Sequence, residues 1–127
     1  MSNFKIEIIS PASSILKMDA REVILPSFEG EIGILKDHIP IITFLRPGII
    51  KIFSNTDQEF FVEDGTVEFV DNILLVLTST AKKLSDLRKE NLNLIITETE
   101  KKINKDSLKD KEKYLLSYKL ETLKSII

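Results

Sequence analysis

The fold class that this sequence predicts is β plus α: a sandwich or barrel of short strands over residues 1–81, then an antiparallel pair of helices over residues 82–127. Three observations carry it. Short runs rich in Ile, Val and Phe recur up to Ala81 with turn chemistry every several residues, which is the pattern of a layered all-β unit rather than a parallel α/β sheet. All 4 glycines and all 4 prolines fall in that region. From Lys82 onward both residue types vanish, and leucines recur at helical spacing instead.

Taken in order, Phe4-Lys5-Ile6-Glu7-Ile8 alternates apolar and charged side chains, the period of a half-buried strand. Ser10-Pro11-Ala12-Ser13-Ser14 punctuates it, and Ile15–Met18 reads as a second short strand. Arg21–Leu25 is a third, stopped by Pro26. Apolar runs follow at Ile32–Leu35, Ile39–Leu45 and Ile49–Phe53, then a turn at Ser54–Asp57. Glu59–Val62, Thr66–Val70 and Ile73–Leu77 complete the series, joined through Glu63-Asp64-Gly65 and Asp71-Asn72. About eighty residues bury a modest core, so nearly every strand face should be committed to it.

Ser85–Ile103 reads as a helix with Leu87, Leu94 and Ile95 on one face, although its β-branched residues lower the propensity. Asn104-Lys105-Asp106 connects it to a second helix, which Ser107 caps with Asp110 three residues on. Leu108, Leu116, Leu120, Leu123 and Ile127 form the stripe of that helix, with Leu115 beside it. Neither stripe is wide enough for a deep core, so each helix needs the other, the strand unit or a partner.

The net charge of −2 conceals an asymmetry: residues 1–81 carry 6 Lys+Arg against 12 Asp+Glu, and residues 82–127 carry 12 against 8. That is −6 and +4, two parts with different surfaces. With 0 cysteines there is no disulfide framework, thiolate metal site or cysteine nucleophile. No apolar run approaches the roughly 20 residues of a membrane span, and the first residues lack a signal-peptide layout. A cytosolic protein, or one peripheral to a membrane, is the expectation. Nucleic-acid binding is a weak reading of the basic half, because acids are interspersed and its aromatics are only Tyr114 and Tyr118.

Glu29–Gly48 holds three glycines, two prolines and the single histidine, a density that implies several defined turns. His38 has no second histidine or cysteine with which to complete a zinc site, and no evident nucleophile to activate. Glu29 and Glu31 are solvated loop charges more readily than an acid–base pair. Gly30-x-x-Gly33 lacks the spacing and Gly-Lys-Ser/Thr ending of a phosphate loop. No catalytic residue and no metal ligand is therefore assigned. The stretch reads as a shaped turn system that docks against another protein.

With E-G-E-I-G-I-L at 29–35, then His38, Pro40 and Leu45-Arg46-Pro47-Gly48, the chain resembles the epsilon subunit family of F-type ATP synthases. Phe61, Asp64–Val70 and Leu75–Ala81 extend the likeness through the N-terminal region, while the C-terminal part matches by length and helical character. The resemblance implies a ten-stranded β-sandwich of two five-stranded sheets followed by a two-helix hairpin. It implies a non-catalytic rotor subunit of the central stalk, bound to gamma, resting on the c-subunit ring and peripheral to the bacterial plasma membrane on its cytoplasmic face. The hairpin of such proteins can extend toward the alpha and beta subunits and inhibit ATP hydrolysis.

Residue by residue, the resemblance places Glu31 and His38 in the loop region facing the c ring, and Gly30, Gly33, Pro47 and Gly48 at structural turns; Gly65 is a further turn position. Where the family often has Pro-Gly before the histidine, this chain has Lys36-Asp37. The ATP-associated motif Ile/Leu-Asp-x-x-Arg-Ala, anchored on Arg88, reads Leu84-Ser85-Asp86-Leu87-Arg88-Lys89. Ser85 replaces the aspartate, and Asp86 is turned about 100° away on a helix, so weak or no ATP binding and no cofactor are expected. The commonest meaning of the mixed charge on these helices is a solvated face; the rival to it is a docking surface for the beta subunit, as the resemblance implies, with Lys109 and Lys113 one helical turn apart on it. The rival reading is a stand-alone β-sandwich binding module with a basic helical tail.

Overall fold

The structure, a computed structural model, describes residues 3–105 and 108–126. Its strands are β1 (Phe4–Ile9), β2 (Ser14–Ala20), β3 (Glu22–Ser27), β4 (Gly30–Leu35), β5 (Ile41–Leu45), β6 (Gly48–Phe53), β7 (Gln58–Val62), β8 (Gly65–Val70), β9 (Ile73–Leu77) and β10 (Lys82–Lys83). One layer runs β2-β1-β9-β8-β5 and the other β4-β3-β6-β7-β10, joined where Ser27 of β3 pairs with Leu45 of β5. This is the expected sandwich of five and five. All pairings are antiparallel except β1 with β9, where Ile6 lies beside Leu74 and Ile8 beside Val76.

Alternate side chains from both layers fill one core. Ile6, Ile8, Val67, Phe69, Leu74 and Val76 of the first layer meet Val23, Leu25, Ile34, Ile50, Ile52, Phe60 and Val62 of the second, all buried. The period-two alternation of β1, β6 and β8 converts directly into one inward face per strand.

Pro26 does not end the third strand, which continues through it to Ser27. A strand residue's N–H and C=O point to the same side. The Pro26 carbonyl accepts from the Arg46 N–H at 3.0 Å, so its missing N–H falls at the corner where β3 leaves β6 for β5. No ladder bond is lost there. The sheet also extends two residues beyond Ala81, because Lys82 and Lys83 pair with Phe61 and Phe60.

The first helix begins later than its periodicity suggests. Leu84–Asp86 forms a single 3-10 turn, and the helix α1 spans Lys89–Ile103, with Arg88 extended at its N-cap. Leu92, Ile96 and Thr99 form its buried face, whereas Leu94, expected inward, is 63% exposed. Thr99 tolerates burial because its hydroxyl donates to the Ile95 carbonyl at 2.7 Å. The second helix, α2, spans Asp110–Ile126, with Leu123 fully buried and Leu116 and Leu120 half-buried. The cap expected at Ser107, with Asp106 and Ile127, lies outside the described residues. A second apolar cluster, Phe61 with Leu92, Ile96 and Leu123, flanked by Leu84, Leu87, Ile95 and Leu120, joins the folded hairpin to the sandwich.

Candidate functional site

Glu31 and His38 stand at opposite ends of β4, a strand paired on one side only, with β3. Four residue steps from Glu31 to Leu35 already span about 13 Å, and His38 lies beyond them. Glu31 is exposed and borders a shallow depression with Arg46, Lys51, Tyr118 and Glu121. His38 is half-buried, its ring edge-on to Phe69 with centroids 5.9 Å apart. Its Nδ1 lies 2.6 Å from the Ile39 carbonyl, and its backbone N–H donates to Leu35 O at 3.1 Å.

The Lys36-Asp37 pair that stands in place of Pro-Gly has a geometric solution. Asp37 adopts φ 66°, a left-handed conformation that aspartate tolerates. Its N–H donates to Asn72 Oδ1 at 2.7 Å while Asn72 Nδ2 donates to Asp37 Oδ1 at 2.9 Å. Asn72 itself sits in the tight β8–β9 turn, where Asp71 and Asn72 have φ 50° and 60°, the conformation of a two-residue hairpin. The loop before His38 is thus tied to another hairpin rather than shaped by its own glycine.

Gly30 opens β4 at φ 117°, but Gly33 lies within the strand opposite Ile24 rather than at a turn. Gly48 answers to close approach: a Cβ there would lie 2.5 Å from Pro26 Cβ. Pro47 beside it is buried. Gly65, at φ 153°, would bring a Cβ to 2.9 Å from Leu77 O. Around it Thr78 Oγ1 donates to Asp64 O at 2.7 Å, and Thr80 Oγ1 accepts from the Glu63 N–H at 3.0 Å.

The larger surface feature is one that sequence reasoning missed. The outward face of β5, β8 and β9 presents Ile42 (71% exposed), Phe44 (58%), Val70, Ile73 and Leu77, with Phe28 alongside. Register sets these side by side: Phe44 pairs with Thr66 and Thr66 with Leu77, while Val70 pairs with Ile73. One end opens into a groove of about 1080 Å³ lined by Ile9, Phe28, Phe44 and Leu77 on the sheet side and by Lys111 and Leu115 of α2. Glu68 lies between Ile42 and Leu75 on this face, which is otherwise apolar and exposed, the character of a candidate contact surface. The available signal was β9, Ile73-Leu74-Leu75-Val76-Leu77, apolar at both parities when only one parity is needed for the core.

Two polar contacts accompany the Phe61 cluster where α2 meets the sandwich. Lys119 Nζ lies 2.6 Å from Glu63 Oε1, and the Arg46 guanidinium sits 4.1 Å over the Tyr118 ring. The Tyr114 side chain, edge-on at 4.8 Å, holds the Tyr118 phenol above its ordinary pKa, against the lowering effect of Arg46. Arg88 is exposed at the start of α1. Lys109 and Lys113 are exposed at the start of α2, at the far end of an antiparallel hairpin whose first helix alone is about 22 Å long. The fold does not bring them to Arg88. Among the described residues no group of three or more His, Cys, Asp or Glu side chains is placed to hold a metal, and no helix is long and apolar enough to cross a membrane.

Residues 3–84 match the model of the ATP synthase Delta/Epsilon chain beta-sandwich domain. The chain belongs to the ATP synthase delta/epsilon chain family. An ATP synthase epsilon chain of Pelagibacter ubique is 48% identical over 125 residues, covering 97% of this chain and 96% of that one. One from Polynucleobacter necessarius is 39% identical over 89 residues, covering 68% and 64%. Among solved structures, the Euglena gracilis mitochondrial ATP synthase contains a chain that superposes with a TM-score of 0.76 at 20% identity, covering 98% of this chain and 79% of that one. A chain from the central stalk and c-ring of the Tetrahymena thermophila mitochondrial enzyme gives 0.69 at 17%, covering 95% and 93%. At those identities the superpositions establish the fold, and the family assignment rests on the sequence matches.

Proposed function

We propose that this chain is a non-catalytic subunit of the central stalk of a proton-translocating ATP synthase. It couples the catalytic head to the c ring through gamma, at the cytoplasmic face of a bacterial plasma membrane. The observation that carries the reading is the 48% identity to an ATP synthase epsilon chain over nearly the whole chain, and the exposed apolar residues of β5, β8 and β9 supply a surface for a partner. Gamma covers it. Glu31 and His38 frame the free edge of β4 and face the c ring from its two ends. Pull-down of the chain from gently solubilised membranes brings gamma and the catalytic subunits with it. Ile42→Glu with Phe44→Glu abolishes that recovery while the purified variant stays folded. Recovery of the variant at the wild-type level would overturn the gamma assignment.

The hairpin restrains ATP hydrolysis when it leaves the sandwich for the catalytic subunits, with Lys109 and Lys113 on the exposed surface that meets beta. Deleting residues 82–127 leaves assembly intact and raises hydrolysis; an unchanged rate removes the inhibitory role. ATP binding by the isolated chain is weak or absent. Ser85 and Asp86 lie in the 3-10 turn ahead of α1, with Arg88 exposed. Titration calorimetry with a micromolar affinity would refute this.

A further inference from the structure

The basic part of the chain rests on the acidic part: residues 82–127 carry 12 Lys+Arg and 8 Asp+Glu (+4), residues 1–81 carry 6 and 12 (−6). Beside the apolar cluster of Phe61, Leu92, Ile96 and Leu123, polar contacts with the sandwich are made by two neighbouring residues of α2. Tyr118 and Lys119 are about 100° apart around the helix, and each is held by a different corner of the second layer. Arg46, on the β5–β6 connection, covers Tyr118; Glu63, on the β7–β8 connection, holds Lys119. α2 is straddled rather than touched along one line.

Both corners are rigid. The Arg46 N–H is tied to Pro26 O at 3.0 Å and is followed by the buried Pro47. The Glu63 N–H is tied to Thr80 Oγ1 at 3.0 Å. A preorganised partner loses little freedom when it pairs. Lys119 and Glu63 are also withdrawn from water, at 15% and 32% side-chain exposure and 2.6 Å. The other ion pair among the described residues, Lys5 with Asp19, is 3.8 Å long at 66% and 62% exposure. Solvent and salt screen the second pair far more than the first. Leu120 and Leu123 of α2 join Leu92 and Ile96 of α1 in the cluster over Phe61, so the seam between the helices does not depend on the clasp, and the clasp adds to an apolar contact with β7.

We propose that Arg46 and Glu63 form a two-point electrostatic clasp on Tyr118 and Lys119 that sets how often the hairpin leaves the sandwich. At Lys119 the clasp is intramolecular competition for a basic side chain that an external acidic surface would otherwise take, while Arg46 holds Tyr118 through its ring. Its regulatory consequence rests on the inhibitory reading above; its existence does not.

Hydrogen exchange on the full chain tests it, with the α2 amides reporting release and the β8 amides serving as reference. Lys119→Glu and Glu63→Lys each speed α2 exchange about fivefold at low salt, and the double reversal returns it to within about twofold of wild type. Arg46→Ala speeds it by about two- to fivefold. Lys119→Met, which keeps the apolar stem, behaves as Lys119→Glu does, in the same direction and to a smaller extent. β8 exchange is unchanged throughout. Wild-type α2 rates in the single variants, or no recovery in the double reversal, overturn the clasp. In the reconstituted synthase the single reversals lower ATP hydrolysis; if exchange rises but hydrolysis does not move, the clasp stands and the inhibitory role fails.

Discussion

Phe60 and Phe61 are adjacent and both buried, at 4% and 1% exposure, yet they belong to different clusters. Phe60 points into the sandwich core beside Ile52 and Val62, and Phe61 points out of it, under Leu92, Ile96 and Leu123. Truncating a buried phenylalanine to alanine costs about 3–5 kcal/mol when the surroundings cannot collapse. For Phe60→Ala that cost falls on the sandwich itself. Set against a domain stability of about 5–15 kcal/mol, it lowers the melting temperature by roughly 12–40 °C. For Phe61→Ala the void opens at an interface that can separate, so the cost is capped by the free energy of docking the hairpin. The sandwich then melts within about 3 °C of wild type, while α1 and α2 lose protection. Urea titrations with exchange read separately at β8 and at α1 distinguish the two. The reasoning fails if Phe61→Ala destabilises β8 as much as Phe60→Ala, or if it leaves the α1 amides protected.

Three further perturbations probe the corners. Gly48→Ala places a methyl 2.5 Å from Pro26 Cβ and 2.9 Å from its Cγ; a buried proline ring cannot rotate aside, and overpacking of about 1–3 kcal/mol follows, read as a lower urea midpoint. Thr78→Val removes a hydroxyl that donates to Asp64 O and also accepts from the Thr80 N–H, at a cost of about 1–3 kcal/mol, because those groups are left short of partners, with β8–β9 amides exchanging faster. Asn72→Gly keeps the left-handed turn but removes both bonds to Asp37; the Asp37 amide exchanges freely and global stability falls by about 0.5–1.5 kcal/mol per bond lost.

The strands were legible because alternation and turn chemistry are local signals. Ile73–Leu77 and the Asp71-Asn72 turn need only their own residues to be recognised, and the structure moves the other strand ends by two residues or fewer, outward except at Arg21 and at Ile39-Pro40, which lie outside β3 and β5. Pro26 misled because its meaning depends on a neighbour: a missing N–H is harmless only where β3 passes from β6 to β5, which no window of sequence contains. β10 escaped notice for the same reason, since two lysines become a strand only beside Phe60 and Phe61. Within α1, Leu94 and Leu92 are equal in hydrophobicity, and the one that is buried is decided by where Phe61 stands.

Departures from single-face alternation were the site's signature, and they separate into two kinds. In β7, Phe60-Phe61-Val62 is buried at three consecutive positions, so both faces of that strand are covered, the outer one by the hairpin. In β9, Leu74 and Val76 are buried while Ile73 and Leu77 remain 49% and 46% exposed, so the outer face is apolar and bare. One composition thus has two outcomes. Where the chain supplies its own cover the surplus apolar residues join a second core; where it does not, they stay exposed. The two surfaces meet at the groove between Leu77 and Leu115, which sets the hairpin against one edge of the exposed apolar face.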